Sequence, residues 1–129
     1  MKRGDPIART PMRRKPARRT SEETRARRLV RDRAEGRCEG CGRAPGVEWA
    51  HRVSRAQGGP WCPSNGLLLC GPGGCHHWSH LNPEAARQWG WMLRRHQDPA
   101  TSPVLHAWHG WVYLGADGSV TPVTDREAA

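Results

Sequence analysis

Two pairs of closely spaced cysteines constrain the fold of this chain more than any other feature of its sequence. Two residues separate Cys38 from Cys41, and four separate Cys70 from Cys75. Four thiolates are a ligand set for a tetrahedral structural Zn²⁺ ion. Because a chain of 129 residues has a small hydrophobic core, an ion that joins two loops would add stability. The pattern predicts one zinc site, with Cys62 outside it as a buried or idle thiol.

The same cysteines would form disulfides in an oxidising compartment, so the choice of zinc depends on where the protein resides. The sequence contains no run of about eighteen apolar residues that could span a membrane. Its charged start also lacks the apolar stretch of a secretory signal. We therefore expect a cytoplasmic protein without a membrane partner. Cytoplasmic thiols stay reduced, which favours zinc over disulfides.

The charge of the chain indicates a polyanionic partner. The formal net charge is +9, and residues 1–37 hold 14 of the 21 lysines and arginines against five acidic residues. Such an excess points to nucleic acid. Residues 1–19 are expected to form a disordered basic arm, which is compatible with phosphate binding. The residues expected to contact nucleic acid are Arg13, Arg14, Lys15, Arg18, Arg19, Arg52 and Arg55.

The first regular element is predicted to be a helix from Thr20 to Glu35. Thr20 and Glu23 have the spacing of a capping box, and no glycine or proline interrupts the run. Because five arginines leave few apolar positions, Leu29 and Val30 are expected to dock the helix. Its basic face would then remain on the surface.

The later elements are predicted from β-branched and aromatic runs and from turn residues. A strand over residues 47–53 should pair with an antiparallel strand over residues 66–69. A short helix should carry the histidines that follow Cys75, and Asn82 should cap a further helix that begins at Pro83. Residues 111–114 and 119–123 look like a hairpin. With seven tryptophans and no phenylalanine, the core is expected to contain Trp49, Trp78, Trp89 and Trp91.

Several histidines are candidates for chemistry. His51 falls at the end of the first predicted strand, where a neutral imidazole can take a proton from water, although a lone histidine is more often structural. His76 and His80 are four residues apart, so on a helix they share a face and can hold one metal ion. The pair His77 and His80, three apart, would do so as well. The spacing alone does not choose between His76 and His77.

The order of these motifs resembles the HNH endonuclease family, in particular small phage-type members with two cysteine pairs. The resemblance spans residues 38–80 and runs through Glu48-Trp49-Ala50-His51, Gln57-Gly58-Gly59, Ser64-Asn65-Gly66 and Cys75-His76-His77-Trp78-Ser79-His80. It implies a ββα-metal (His-Me) finger with catalytic residues His51, Asn65 and His76. His51 would be the general base and Asn65 would pin the loop between the strands. His76 and His80 would hold a catalytic Mg²⁺, Mn²⁺ or Ni²⁺ ion.

Two departures from the family pattern bear on the activity. The residue before the general base usually ligates the metal, but here it is Ala50. Either water and substrate phosphate complete the shell of an ion on His76 and His80, or Glu48, His77 or another group substitutes. The second cysteine pair is also stretched by residues 71–74, whose glycines can absorb the extra length. The alternative function is a zinc-ribbon module that binds or packages DNA without cleaving it.

The sequence therefore predicts a small α+β fold stapled by zinc. A disordered arm over residues 1–19 should precede a nuclease domain over 20–95. A C-terminal extension with a hairpin over 96–123 and a tail over 124–129 should follow. The expected activity is metal-dependent hydrolysis of DNA phosphodiesters, leaving 5′-phosphate and 3′-hydroxyl ends as the resemblance implies. The expected partners are DNA and, in a phage, the terminase that cuts and packages it in the host cytoplasm.

Overall fold

The computed structural model describes Gly4, residues 11–12 and residues 18–124, and within them it has a small mixed α/β fold. Most of the basic arm, including Arg13, Arg14 and Lys15, lies outside the described residues, as does most of the tail. The helices are α1 (Ser21–Ala34), α2 (Cys75–Leu81) and α3 (Pro83–Gln88). The strands are β1 (Glu48–His51), β2 (Gly66–Leu69), β3 (Val104–His106), β4 (Gly110–Leu114) and β5 (Val120–Pro122).

Helix α1 begins where the sequence predicts, and Val30 docks it as expected, but Leu29 does not belong to the buried face. The Thr20 hydroxyl caps it by accepting a hydrogen bond from the Glu23 amide at 3.1 Å. The Glu23 carboxylate binds Arg19 and Arg27. Leu29 is only half-buried, and the buried face is formed by residues four apart, Ala26, Val30 and Ala34. Small side chains at two of these three positions let the helix lie close to β2.

The predicted hairpin between the cysteine pairs is confirmed. Strands β1 and β2 pair antiparallel, with Glu48 opposite Leu69 and His51 opposite Gly66. Side chains alternate along a strand, so Ala50 enters the core while Trp49 and His51 share the other face. A side chain at residue 66 would collide with the Trp49 ring, which explains the glycine there.

The C-terminal strands β3, β4 and β5 form a second antiparallel sheet. The hairpin of β4 and β5 is confirmed, whereas β3 was not predicted. Val104 from β3 packs against the same core as Leu67 from β2 and Ala86 from α3. Residues on both sides of the expected domain boundary at 95/96 therefore share one continuous core.

The tryptophan core is partly as expected. Trp91 is buried, and Trp78 and Trp89 stack on each other with centroids 4.9 Å apart at the edge of the core. The prediction for Trp49 is wrong: it is half-buried and lies away from the core cluster, with its ring centroid 5.1 Å from that of Trp61. Its position on β1 faces outward, opposite to Ala50.

The predicted capping role of Asn82 is wrong, although α3 does begin at Pro83. The Asn82 side chain makes no capping bond to α3 and instead donates from Nδ2 to the Trp78 carbonyl of α2 at 3.0 Å. Only Asn82 separates the end of α2 from the start of α3, and its side chain is bonded to the last turn of α2 instead of the first turn of α3. None of the helices in the described part of the chain is long and apolar enough to cross a membrane.

A buried ion network joins the first helix, the first cysteine loop and β3. Arg33 contacts the Glu39 carboxylate through Nε at 2.9 Å and Nη2 at 2.8 Å. Oε2 of that carboxylate, the oxygen bound by Arg33 Nε, also accepts a hydrogen bond from His106 Nε2 at 2.9 Å. All three side chains are almost fully buried. Burial raises the pKa of Glu39, but His106 and Arg33 outweigh it and keep the carboxyl group ionised.

Arg52, expected to contact DNA, is buried, with only 1% of its surface exposed. Its guanidinium donates to the carbonyls of Gly90, Ser64, Pro99, Ser102 and Pro103. Burial, with Arg33 nearby, lowers the pKa of Arg52 to about 9. Because its donors are used inside the protein, Arg52 does not bind phosphate. It instead ties the residue after His51 to the 90–103 segment.

Candidate functional site

The four cysteines of the two pairs meet at one point, as the spacing predicts. Their sulfur atoms all lie within 4.8 Å of one another. The Cys41 and Cys70 sulfurs are 3.9 Å apart, close to the roughly 3.8 Å expected for two thiolates bound about 2.3 Å from one tetrahedral zinc ion. Backbone amides also point at the sulfurs: Cys41 N lies 3.4 Å from Cys38 Sγ and Cys75 N lies 3.2 Å from Cys70 Sγ. The cluster could hold a metal ion such as zinc.

The surroundings of the sulfurs explain the stretched second pair. A side chain at Gly74 would collide with the Cys70 sulfur, and Gly73 has a positive φ of 73°. The four residues between Cys70 and Cys75 thus form a loop that folds back and keeps Cys75 in the cluster. Burial would raise the pKa of Cys41, but amides of Arg43 and Ala44 outweigh it and lower the pKa to about 6.

The fifth cysteine lies outside the cluster, as expected. Cys62 is half-buried, and its sulfur lies 3.3 Å from the Ser64 hydroxyl. It sits at the start of the short 3₁₀ turn Pro63–Asn65 that leads into β2. Its contacts are those of a packed thiol rather than a metal ligand.

His51 lies at the end of β1 in an aromatic enclosure. Its Nδ1 accepts a hydrogen bond from Trp49 Nε1 at 3.0 Å, and its ring contacts Trp61 edge-on at 4.4 Å. Burial, followed by the charges of Arg55 and Arg27, lowers the pKa of His51 to about 4. The ring is therefore neutral near pH 7. Since Nδ1 accepts, the ring proton resides on Nε2.

The second ring nitrogen of His51 has an unusual environment. Among the side chains that the structure describes, Nε2 of His51 is the one buried nitrogen or oxygen that has no hydrogen-bond partner. Buried polar atoms are nearly always satisfied, so such an exception calls for a functional explanation. The enclosure keeps the imidazole neutral while leaving one of its hydrogen bonds unmade.

Asn65 holds the loop that follows His51. Its Oδ1 accepts from the Val53 amide at 2.8 Å, and its Nδ2 donates to the carbonyls of Val53 and Pro60 at 3.0 and 3.1 Å. The side chain is fully buried. A side chain at Gly59 would collide with the Val53 carbonyl and this amide, so the Gly58-Gly59 turn is part of the same arrangement. Asn65 thus pins the chain two residues after His51.

Helix α2 presents His76 and His80 on one face, with ring centroids 5.0 Å apart. His76 Nδ1 lies 2.6 Å from the Glu48 carboxylate of β1, so Glu48 is the group that approaches the histidine pair. His77 is exposed. Ala50 is buried in the core and contributes nothing here.

These side chains do not form a compact metal cage in this conformation. Among the residues that the structure describes, the four cysteines are the only group of three or more potential ligands whose atoms all lie within 4.8 Å. The His76 and His80 rings are nevertheless neighbours, and His80 reaches a cleft of about 410 Å³ that His51 also lines. Arg87 and Arg94 line the same cleft. One cleft therefore joins the predicted base to one of the predicted ligands.

The remaining predicted phosphate contacts lie on the surface where they are described. Arg18 and Arg19 are exposed, and Arg19 is 3.2 Å from Glu23. Arg55 is exposed beside the His51 enclosure, with its guanidinium 5.5 Å from the Trp61 ring.

Two residues of the site were not predicted as such, Trp49 and Trp61. The alternation of side chains along β1 could have placed Trp49 beside His51, since the two are two residues apart. The position of Trp61 follows from the fold of the 52–65 loop and has no comparable sequence signal. Comparison of the chain with protein-family models, curated proteins and solved structures gives no match.

Proposed function

We propose that this protein is a metal-dependent endonuclease that hydrolyses DNA phosphodiester bonds. In this proposal β1, β2 and α2 form a ββα-metal finger that the cysteine cluster staples with Zn²⁺. The observation that carries the proposal is the cleft that His51 and His80 line together. The hydrogen bonds of Asn65 support it further, because they fix the chain immediately after His51.

His51 would act as the general base. Its low pKa keeps the imidazole neutral, and a neutral ring can take a proton from water at Nδ1 once the Trp49 indole releases that atom. The water oxygen then forms a bond to phosphorus while the bond to the 3′ oxygen breaks. The products carry a 5′-phosphate and a 3′-hydroxyl, and the leaving oxygen takes its proton from solvent.

His76 and His80 would hold the divalent ion. Glu48 would accept the proton of His76 Nδ1, which leaves Nε2 of that ring as the ligand atom. Two imidazoles with a nearby carboxylate suit Mn²⁺ or Ni²⁺ at least as well as Mg²⁺. When bound, such an ion stabilises charge on the phosphoryl and leaving oxygens. Ala50 contributes no ligand, so we expect weak binding that substrate phosphate helps to complete.

The competing candidate is a zinc module that binds or packages DNA without cutting it. It is favoured by the core position of Ala50 and by the absence, among the described residues, of a second compact ligand group. A nuclease that acts only with a phage terminase lies between the two. These candidates differ in whether the purified chain cleaves DNA by itself.

The test is cleavage of supercoiled plasmid with Mg²⁺, Mn²⁺ or Ni²⁺ added to the zinc-loaded protein. We expect metal-dependent nicking that His51→Ala reduces by about a hundredfold, the scale for a lost general base. His96→Ala is the matched control, because His96 is exposed and outside the site. If the wild type does not cleave with any of these ions or with terminase, or His51→Ala cleaves equally fast, the binding module is the better account.

A further inference from the structure

A basic groove lies between α1 and the outer face of the β1–β2 hairpin. Three arginines, Arg19, Arg27 and Arg31, form one side of it, and Val47 and Trp49 line the other. The groove encloses about 360 Å³. It is distinct from the cleft that His51 and His80 line, since the two have no lining residue in common.

The charge of the groove is positive without a lining carboxylate. Glu23 lies outside it and binds Arg19 and Arg27 from the helix at 3.2 and 2.8 Å. Arg31 is exposed and has no ion pair among the described residues. Two of the arginines, Arg27 and Arg31, are four residues apart and therefore lie about 6 Å apart along the helix. Arg27 and Arg31 thus project from one face of α1, while Arg19 precedes the helix.

The groove connects directly to the proposed general base. The Arg27 guanidinium lies 4.7 Å from the Trp61 ring, and Trp61 in turn contacts His51 at 4.4 Å. Trp49, which lines the groove, donates its indole hydrogen to His51. A ligand that runs along the groove would therefore reach the enclosure of His51 within one or two side chains.

We propose that this groove binds the sugar–phosphate backbone of the DNA strand that is cut, with phosphates on Arg27 and Arg31. One guanidinium group can donate two parallel hydrogen bonds to a phosphate. Aromatic and apolar surface accommodates sugars and bases. Arg27 and Arg31 are carried on α1, which holds the bases of their side chains in a regular arrangement. That the bound strand is the one that is cut rests on the proposed nuclease function.

The experiment measures binding of a short DNA duplex over a range of salt concentrations. It uses the full chain carrying His51→Ala, so that cleavage does not interfere. Arg31→Gln should weaken binding and lower the slope of log affinity against log salt by about 1. Arg25→Gln is the matched control, because Arg25 is exposed on the same helix but does not line the groove.

Equal effects of Arg31→Gln and Arg25→Gln would overturn the groove, since they would indicate only a general loss of charge. A selective effect of Arg31→Gln supports it whether or not the wild type cleaves DNA. Conversely, the wild type could cleave DNA while Arg31→Gln leaves the affinity unchanged. That result would support the nuclease function and contradict DNA binding in the groove. The two proposals can therefore fail separately.

Discussion

The indole nitrogen of Trp49 donates a hydrogen bond to Nδ1 of His51 at 3.0 Å. This Nδ1 is the atom that must accept a proton from water if His51 is the general base. The indole and the water therefore compete for the same lone pair. The conformation described above is one in which the base is held but covered.

Replacing Trp49 by phenylalanine should accelerate cleavage. The ring would still fill its place above Gly66, but the competing donor would be gone. A net hydrogen bond is worth about 1 kcal/mol, so kcat should rise roughly fivefold. Trp111→Phe, a half-buried tryptophan outside the site, is the control. A slower Trp49→Phe enzyme would mean that the indole positions His51 rather than covers it.

Removing one ligand of the cysteine cluster should unfold the protein. Structural zinc contributes on the order of 10 kcal/mol in small domains, comparable to the whole stability of a domain this size. Cys38→Ser should therefore lose zinc and cooperative thermal unfolding, as followed by metal analysis and circular dichroism. Cys62→Ser should retain both, because Cys62 lies outside the cluster. A zinc-free wild-type protein with the same fold would contradict this prediction.

Replacing the histidines of α2 should impair cleavage in a different way from replacing His51. His80→Ala should raise the concentration of metal needed for half-maximal cleavage, and excess metal should partly restore the rate. His76→Ala should behave similarly. His77→Ala should have no effect, because the ring contact on α2 joins His76 to His80 and His77 lies on another side of the helix. A metal titration of the three variants distinguishes them, and loss of activity in His77→Ala alone would reassign the ligand.

The pH dependence of cleavage should reflect the low pKa of His51. The neutral ring is favoured in the folded protein down to a pKa of about 4, whereas an exposed histidine titrates near 6.5. The rate should therefore stay level from pH 7 to about pH 5. Any stability that depends on the neutral ring is present above pH 6.5 and declines as the pH falls toward 4, since the unfolded chain is protonated first. Nuclear magnetic resonance of the ring nitrogens would measure the pKa directly, and a value near 6.5 would contradict the enclosure.

Arg52 should matter for stability rather than for DNA binding. Its removal would leave several buried carbonyls without a donor, so Arg52→Ala should lower the free energy of unfolding by about 3–5 kcal/mol. Arg55→Ala, at an exposed arginine three residues later, should change it by less than about 0.5 kcal/mol. Urea denaturation compares the two variants. Similar stabilities would indicate that Arg52 is not needed inside the protein.

The elements that the sequence predicts well are those with a local signal. The cysteine spacing gave the cluster, Thr20 marked the start of α1, and turn residues bracketed the hairpins. β3 was missed because its three residues carry no pattern of their own and become a strand by pairing with β4.

The corrections concern long-range contacts. Arg52 looks like a surface cation in the sequence, and only the carbonyls of the 90–103 segment, about forty residues later, make it a buried one. The contact between Glu48 and His76 likewise depends on how α2 packs against β1. For the same reason the sequence could name Glu48 as a candidate ligand but could not place its carboxylate against Nδ1 of His76.

The bond between Glu39 and His106 has a consequence for how this protein can change over time. The two residues are 67 positions apart, yet each is buried and each supplies the counter-group of the other. A version of the chain that ended near residue 95 would leave the buried Glu39 carboxylate without its His106 donor and would remove β3 and β4 from the core that contains Leu67 and Ala86. The C-terminal sheet is therefore not a module that recombination could exchange freely. It has to be inherited together with the cysteine loop.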